Sequence, residues 1–143
     1  MKARLKESLK HAMKAQDRLR LETIRALLTE MQYEEMQKSV DELPEADCTV
    51  IFQREVKKRQ EAIQFEEQAG RQEAKSKLAS EIAIIEEFLP KQMTPEQLEK
   101  AIVDFASATP GAALNHIMKH LKETYAGQYD GKSASDIAKR VLG

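Results

Sequence analysis

Apolar residues recur along this chain at steps of three and four, the spacing that gathers them on one face of an α-helix. Leu5, Leu9, Ala12 and Met13 form one such stripe within Lys2 to Ala15. Asp17 stands where an N-cap is needed, and from Arg18 to about Lys38 Leu21, Ile24, Leu28 and Met31 form a second stripe, widened by Leu27. So short a link predicts an antiparallel hairpin. Periodicity fails from Ser39 to Asp47, where Leu43-Pro44 disfavours helix before the proline, and a loop is expected. A third helix is predicted from about Cys48 to Ala69, capped by Asp47, with Phe52, Val56 and Ile63 on one face beside Ile51, Ala62 and Phe65, and Gly70 as its stop. Leu78, Ile82, Ile85 and Leu89 then follow a four-three-four step, the narrow seam of a coiled-coil-like contact, ended by Pro90.

Beyond a proline-marked joint near residues 90 to 93 the helices shorten. In Met93-Thr94-Pro95-Glu96-Gln97-Leu98, Thr94 can cap, Pro95 suits the first helical position, Gln97 can complete a capping box, and Met93 can staple against Leu98. Leu98, Ile102 and Phe105 point inward until Thr109-Pro110-Gly111 interrupts. The next helix runs from about Ala113 to Tyr125 on Leu114, Ile117, Met118 and Leu121. After a turn over Gly127 to Gly131, Ser133 and Asp136 present a capping-box pattern ahead of Ile137 and Val141. No strand alternation competes. The expected fold is all-α, a four-helix N-terminal domain over residues 1–90 followed by a small three-helix domain over 91–143.

Charge narrows the function. The 23 Lys and Arg nearly balance 24 Asp and Glu, giving a net charge of −1, so any attraction to polyanions must be local. The single cysteine, Cys48, excludes an internal disulfide and suits a reducing compartment. Met1 to Ala15 is charged throughout and carries no signal-peptide core, and no stretch approaches the apolar length of a membrane span, so a cytoplasmic protein away from membranes is expected.

No catalytic constellation appears. Gly131-Lys132-Ser133 mimics the end of a phosphate-binding loop, but Ala126 replaces the upstream glycine and no strand precedes the turn. His116 and His120 are four apart, yet Ile117 stands where a metalloprotease helix has Glu, and no third ligand lies nearby. His11 is isolated on a charged helix. Adjacent pairs such as Glu34-Glu35, Glu66-Glu67 and Glu86-Glu87 diverge around the helix and read as solvated faces. No metal or cofactor is implied. Two basic clusters could meet phosphates: Arg54, Lys57, Lys58 and Arg59, diluted by Glu55 and Glu61, and Lys119, Lys122, Lys132, Lys139 and Arg140, diluted by Glu123, Asp130 and Asp136.

The run Lys57-Lys58-Arg59-Gln60-Glu61-Ala62-Ile63, followed by Phe65, Ala69-Gly70-Arg71, Glu81-Ile82 and Phe88-Leu89-Pro90-Lys91-Gln92-Met93, resembles the YqeY family. The opening is similar as well, in Leu5-Lys6, Ala12-Met13-Lys14-Ala15, Arg18-Leu19-Arg20-Leu21 and Ile24-Arg25. The resemblance implies a helical N-terminal domain joined to a three-helix domain shared with the tail of GatB, the B subunit of the tRNA-dependent amidotransferase. That tail helps to hold tRNA while the chemistry occurs elsewhere. The matching stretch is His116-Ile117-Met118-Lys119 onward to Asp130-Gly131-Lys132, Asp136-Ile137 and Arg140-Val141-Leu142, with Gln128 where the family's turn often has a basic residue. The implied role is a non-catalytic accessory module that engages tRNA or an RNA-protein assembly through Lys119, Lys122, Lys132, Lys139 and Arg140. A label of carbon-nitrogen ligase with glutamine as amido-N-donor would be inherited through the shared tail. The alternative is a protein-interaction module whose Leu78-Ile82-Ile85-Leu89 seam receives a partner helix.

Overall fold

The structure is a computed structural model that describes residues 1–143. It is all-helical, with seven helices and no strand, and none of the helices is long and apolar enough to cross a membrane. The chain divides into two compact units, Met1–Leu89 and Pro90–Gly143.

The first unit holds α1 (Lys2–Ala15), α2 (Arg18–Lys38), α3 (Glu45–Gln68) and α4 (Gln72–Glu86). Two residues join α1 to α2. Gln16 takes the left-handed conformation at φ 56°, and the Asp17 amide donates back to the Ala12 carbonyl at 3.0 Å, closing α1 in a Schellman turn. The Asp17 carboxylate accepts from the Arg20 amide at 3.2 Å, so the expected cap opens α2. Ser39 repeats the left-handed ending at φ 53°, with Val40 donating to Glu35 at 3.0 Å. Both residues carry a Cβ where glycine is preferred. Gln16→Gly and Ser39→Gly are therefore each expected to stabilise by about 0.5 to 1 kcal/mol, the relief of left-handed strain exceeding the added chain entropy, read as a higher urea midpoint.

The start of α3 differs from the sequence expectation. Pro44 is the N-cap and the helix begins at Glu45, one turn before Cys48, because proline's fixed φ and missing amide proton suit a helix entrance. Asp47 does not cap; it lies in the first turn and pairs with Lys38 at 3.0 Å. Gly70, at φ 72°, supplies the stop, with Arg71 donating to the Glu66 carbonyl at 2.9 Å. Helix α4 ends at Glu86 rather than at Pro90, its exit tightened by the Phe88 and Leu89 amides bonding three residues back.

The core of this unit gathers Leu5 from α1, Ile24, Leu27 and Met31 from α2, Cys48, Ile51 and Phe52 from α3, and Ile84, Ile85 and Phe88 from α4 and its exit, closed by Leu43. Phe52 and Phe88 meet edge to face at 6.5 Å, and the Arg4 guanidinium sits 5.4 Å from the Phe88 ring centre. The four-residue seam of α4 is not uniform. Ile85 is fully buried and Leu89 packs on the core, but Leu78 and Ile82 are half-buried. Since α4 packs on both α3 and α2, its buried face is broader than one seam and recruits Ile84 and Phe88. Phe65, expected on the inward face of α3, is 67% exposed, because at about 100° per residue it lies about 100° or more round the helix from the line of Cys48, Phe52, Arg59 and Glu66 that faces the packed side.

Polar groups join α3 to α4. Arg59 Nη1 donates to the Glu55 carboxylate at 2.9 Å and to the Glu55 carbonyl at 3.1 Å, while Arg59 Nε lies 3.4 Å from Glu81. Lys2 Nζ lies 2.8 Å from the buried carboxylate of Glu35, tying the start of α1 to the end of α2.

The second unit packs α5 (Pro95–Ala108), α6 (Leu114–Thr124) and α7 (Gly131–Leu142) around Leu98, Ile102, Ile117, Leu121, Ala134 and Ala138. The Thr94 capping box forms in full: Thr94 Oγ1 accepts from Gln97 N at 3.1 Å and Gln97 Oε1 accepts from Thr94 N at 2.9 Å. Met93 packs on the cluster that contains Leu98. The cap of α7 is not Ser133. The helix starts at Gly131, and the Asp130 carboxylate accepts from the Ser133 amide at 3.1 Å, an acidic cap one turn earlier.

Candidate nucleic-acid interface

Helices α6 and α7 carry all five cations singled out from the sequence, and all five are exposed. At about 100° per residue, Lys119 lies opposite the buried pair Ile117 and Leu121 on α6, with Lys122 one turn along beside it. Lys132 and Lys139, seven residues apart, share one flank of α7. Arg140 lies on the other flank, where its Nη2 meets Glu99 of α5 at 3.0 Å. The structure thus places four of the five as free cations and diverts the fifth into an ion pair.

Two features limit where a phosphate can approach. The Asp130 carboxylate already accepts from the Ser133 amide at 3.1 Å and from Ser133 Oγ at 3.0 Å, so Gly131-Lys132-Ser133 presents a capped helix start with an acidic side chain over it. Glu123 and Asp136 are exposed among the lysines. The unpaired lysines lie on the exposed flanks of the two helices.

The two histidines do different work. His116 Nδ1 accepts from the Ala113 amide at 3.0 Å, closing the helix start from the inside, while Ala113 has no side-chain acceptor to return the bond. His120 stacks on Phe105 with centroids 4.3 Å apart and meets Tyr125 edge-on at 6.2 Å. No three His, Cys, Asp or Glu side chains gather as metal ligands.

A family model described as "Yqey-like protein" matches residues 2–142. The chain belongs to the YqeY-like family. No curated protein matches it.

In this YqeY-like chain the pairing of charge differs between the two units. Of the sixteen Lys and Arg from Met1 to Leu89, at least eight pair with carboxylates. Of the seven from Pro90 to Gly143, only Arg140 does. The other basic cluster is largely neutralised. Arg54 lies 3.7 Å from Glu34, and Arg59 is held between Glu55 and Glu81.

Residues outside the predicted set also shape the surface. Gln92 Nε2 donates to the Gly127 carbonyl at 2.7 Å and Met93 N to the Gln128 carbonyl at 2.7 Å, strapping residues 90–93 to the turn after α6. The strap bounds a cavity of about 350 Å3 that Lys91 and Lys100 help to line. Neither lysine stands out in the sequence, since they flank a helix cap nine residues apart.

Three titrating groups of the YqeY-like chain shift upward. The hydrogen bond from Lys2 to Glu35 holds the Lys2 ammonium above its ordinary 10.5, while burial raises the Cys48 thiol above 9.0 and the Tyr129 phenol above 10.0. A raised folded-state pKa contributes stability that is complete below the unfolded value and is lost as pH rises through the folded one. All three therefore act in one direction. Stability is expected to decline from about pH 9 upward, the Cys48 contribution first, and Cys48→Ala should flatten the earliest part of the decline in urea unfolding curves taken at stepped pH.

Proposed function

We propose that this YqeY-like protein is a non-catalytic accessory module that holds tRNA, or an RNA within an RNA-protein assembly, on the outer flanks of α6 and α7. Lys119, Lys122, Lys132, Lys139 and Arg140 supply the phosphate contacts, on a three-helix C-terminal domain, residues 91–143, related to the GatB tail. The observation that carries this reading is the concentration of unpaired cations in Pro90–Gly143, where Arg140 alone has a carboxylate partner. An unpaired exposed lysine can exchange condensed counterions for a phosphate without first breaking an ion pair. With a net charge of −1 the contact is local, so affinity should fall steeply with salt.

Total tRNA titrated into the protein should bind at low salt and lose about tenfold or more in affinity between 50 and 200 mM. The K119Q/K122Q/K132Q/K139Q/R140Q variant should bind little at either salt. Absence of binding throughout, or equal binding by the variant, removes the reading.

A second reading, a receiver for a partner helix, draws on Phe65 at 67% exposure and on half-buried Leu78 and Ile82 beyond the core of the first unit. Recovery of the tagged protein with and without ribonuclease separates the two, since a protein partner survives digestion and an RNA-mediated one does not. The amidotransferase label is inherited through the resemblance. Incubation with glutamine and Glu- or Asp-charged tRNA is expected to give no transamidation above background.

A further inference from the structure

We infer that the cavity walled by the 90–93 strap, α5 and the turn after α6 takes a nucleoside monophosphate group, most simply one unpaired nucleotide of the bound RNA, with the phosphate between Lys91 and Lys100 and the base against Tyr125. As part of an RNA-binding surface the site rests on the reading above, yet it is built from different residues. Its volume of about 350 Å3 lies at the small end of ligand sites and is adequate for one nucleotide. Lys91 and Lys100 both line it, and neither has a carboxylate at ion-pairing distance.

Orientation follows from the remaining groups. Asp104, four residues beyond Lys100, also lines the cavity and forms no ion pair. Its carboxylate repels phosphate but accepts hydrogen bonds from ribose hydroxyls or base amino groups, so the phosphate belongs at the lysines and the sugar or base at Asp104. Tyr125 is half-buried and held edge-on to His120 at 6.2 Å, giving a fixed ring for stacking. The Gln97 oxygen is committed to the Thr94 amide at 2.9 Å, which leaves its amino group as a donor. Gln128 offers a side-chain amide that both donates and accepts, while its backbone carbonyl is occupied by Met93 N. Cations, a ring and carboxamides in one cavity match the phosphate, face and edge of a nucleotide.

The full chain is titrated with AMP, CMP, GMP and UMP, with inorganic phosphate, with adenosine, and with a short single-stranded RNA, following amide shifts of residues 91–101 and 125–128. Mononucleotides should saturate these shifts near about 1 mM and the RNA at lower concentration, whereas phosphate or adenosine alone should not saturate in that range. K91Q/K100Q, at exposed positions, should weaken both by about tenfold or more with an unchanged circular dichroism spectrum. Y125L should weaken them while leaving salt dependence unchanged. Silence of these amides to every nucleotide and to the RNA overturns the site, and so does equal saturation by phosphate alone. If tRNA binds through the five cations of α6 and α7 while the cavity stays silent, the cavity is wrong and the RNA reading stands. If mononucleotides saturate it through Lys91 and Lys100 while tRNA fails to bind, the cavity stands as a site for free nucleotides and the RNA reading falls.

Discussion

Replacing Arg59 by methionine is expected to destabilise the first unit by about 3 to 5 kcal/mol, enough to unfold a marginally stable helical unit at moderate urea. The side chains of Glu55, Arg59 and Glu81 retain only 8%, 14% and 16% of their exposure, so two carboxylates would be left in a poorly hydrated seam without their cation. Breaking a buried pair is costly because the surviving charge is uncompensated, whereas removing every member together is often neutral. The triple variant E55L/R59M/E81L should therefore recover most of the loss. Urea midpoints decide the matter: an R59M variant as stable as the parent shows that the seam is wetter than the geometry indicates. A triple variant no better than R59M shows that Arg59 acts through its packing instead.

Leu121→Ala is expected to destabilise the second unit by about 2 to 5 kcal/mol. Leu121 is fully buried at the centre of a cluster shared by α5, α6 and α7, in a unit of 54 residues whose apolar interior is small. Amide spectra should show residues 90–143 losing dispersion, and tRNA binding should disappear with them, although every lysine of α6 and α7 is still present. Retained dispersion with an unchanged urea midpoint would show that the cluster tolerates the cavity.

Helices whose signals are local were legible from the sequence. The Thr94 capping box and the Asp17 cap depend on residues within one turn of each other, and both form as read. Errors arose where two local signals competed. Asp47 and Ser133 are both plausible caps, but Pro44 and Asp130 stand one turn earlier and begin the helix first. Apolar character alone also draws edge positions inward. Phe65 lies about 100° or more off the line of Phe52, Arg59 and Glu66, which is enough to leave its ring in solvent. The burial of Arg59 was hidden because Glu81 is 22 residues away in sequence and meets it only after α3 and α4 have packed.

The candidate site was legible in its composition but not in its pairing. Exposure of Lys119, Lys122, Lys132 and Lys139 follows from helical phase, whereas the capture of Arg140 by Glu99 is a contact between helices. The cavity beside Lys91 and Lys100 needs the strap from Gln92 and Met93 to Gly127 and Gln128, a closure across 35 residues that no local spacing announces.

Asp17 serves both neighbours at once, its amide closing α1 and its carboxylate opening α2. Fraying of either helix at that end disturbs the residue on which the other is anchored. In hydrogen exchange the last turn of α1 and the first turn of α2 should consequently open in concert, and inserting even one residue after Gln16 should uncouple their rates.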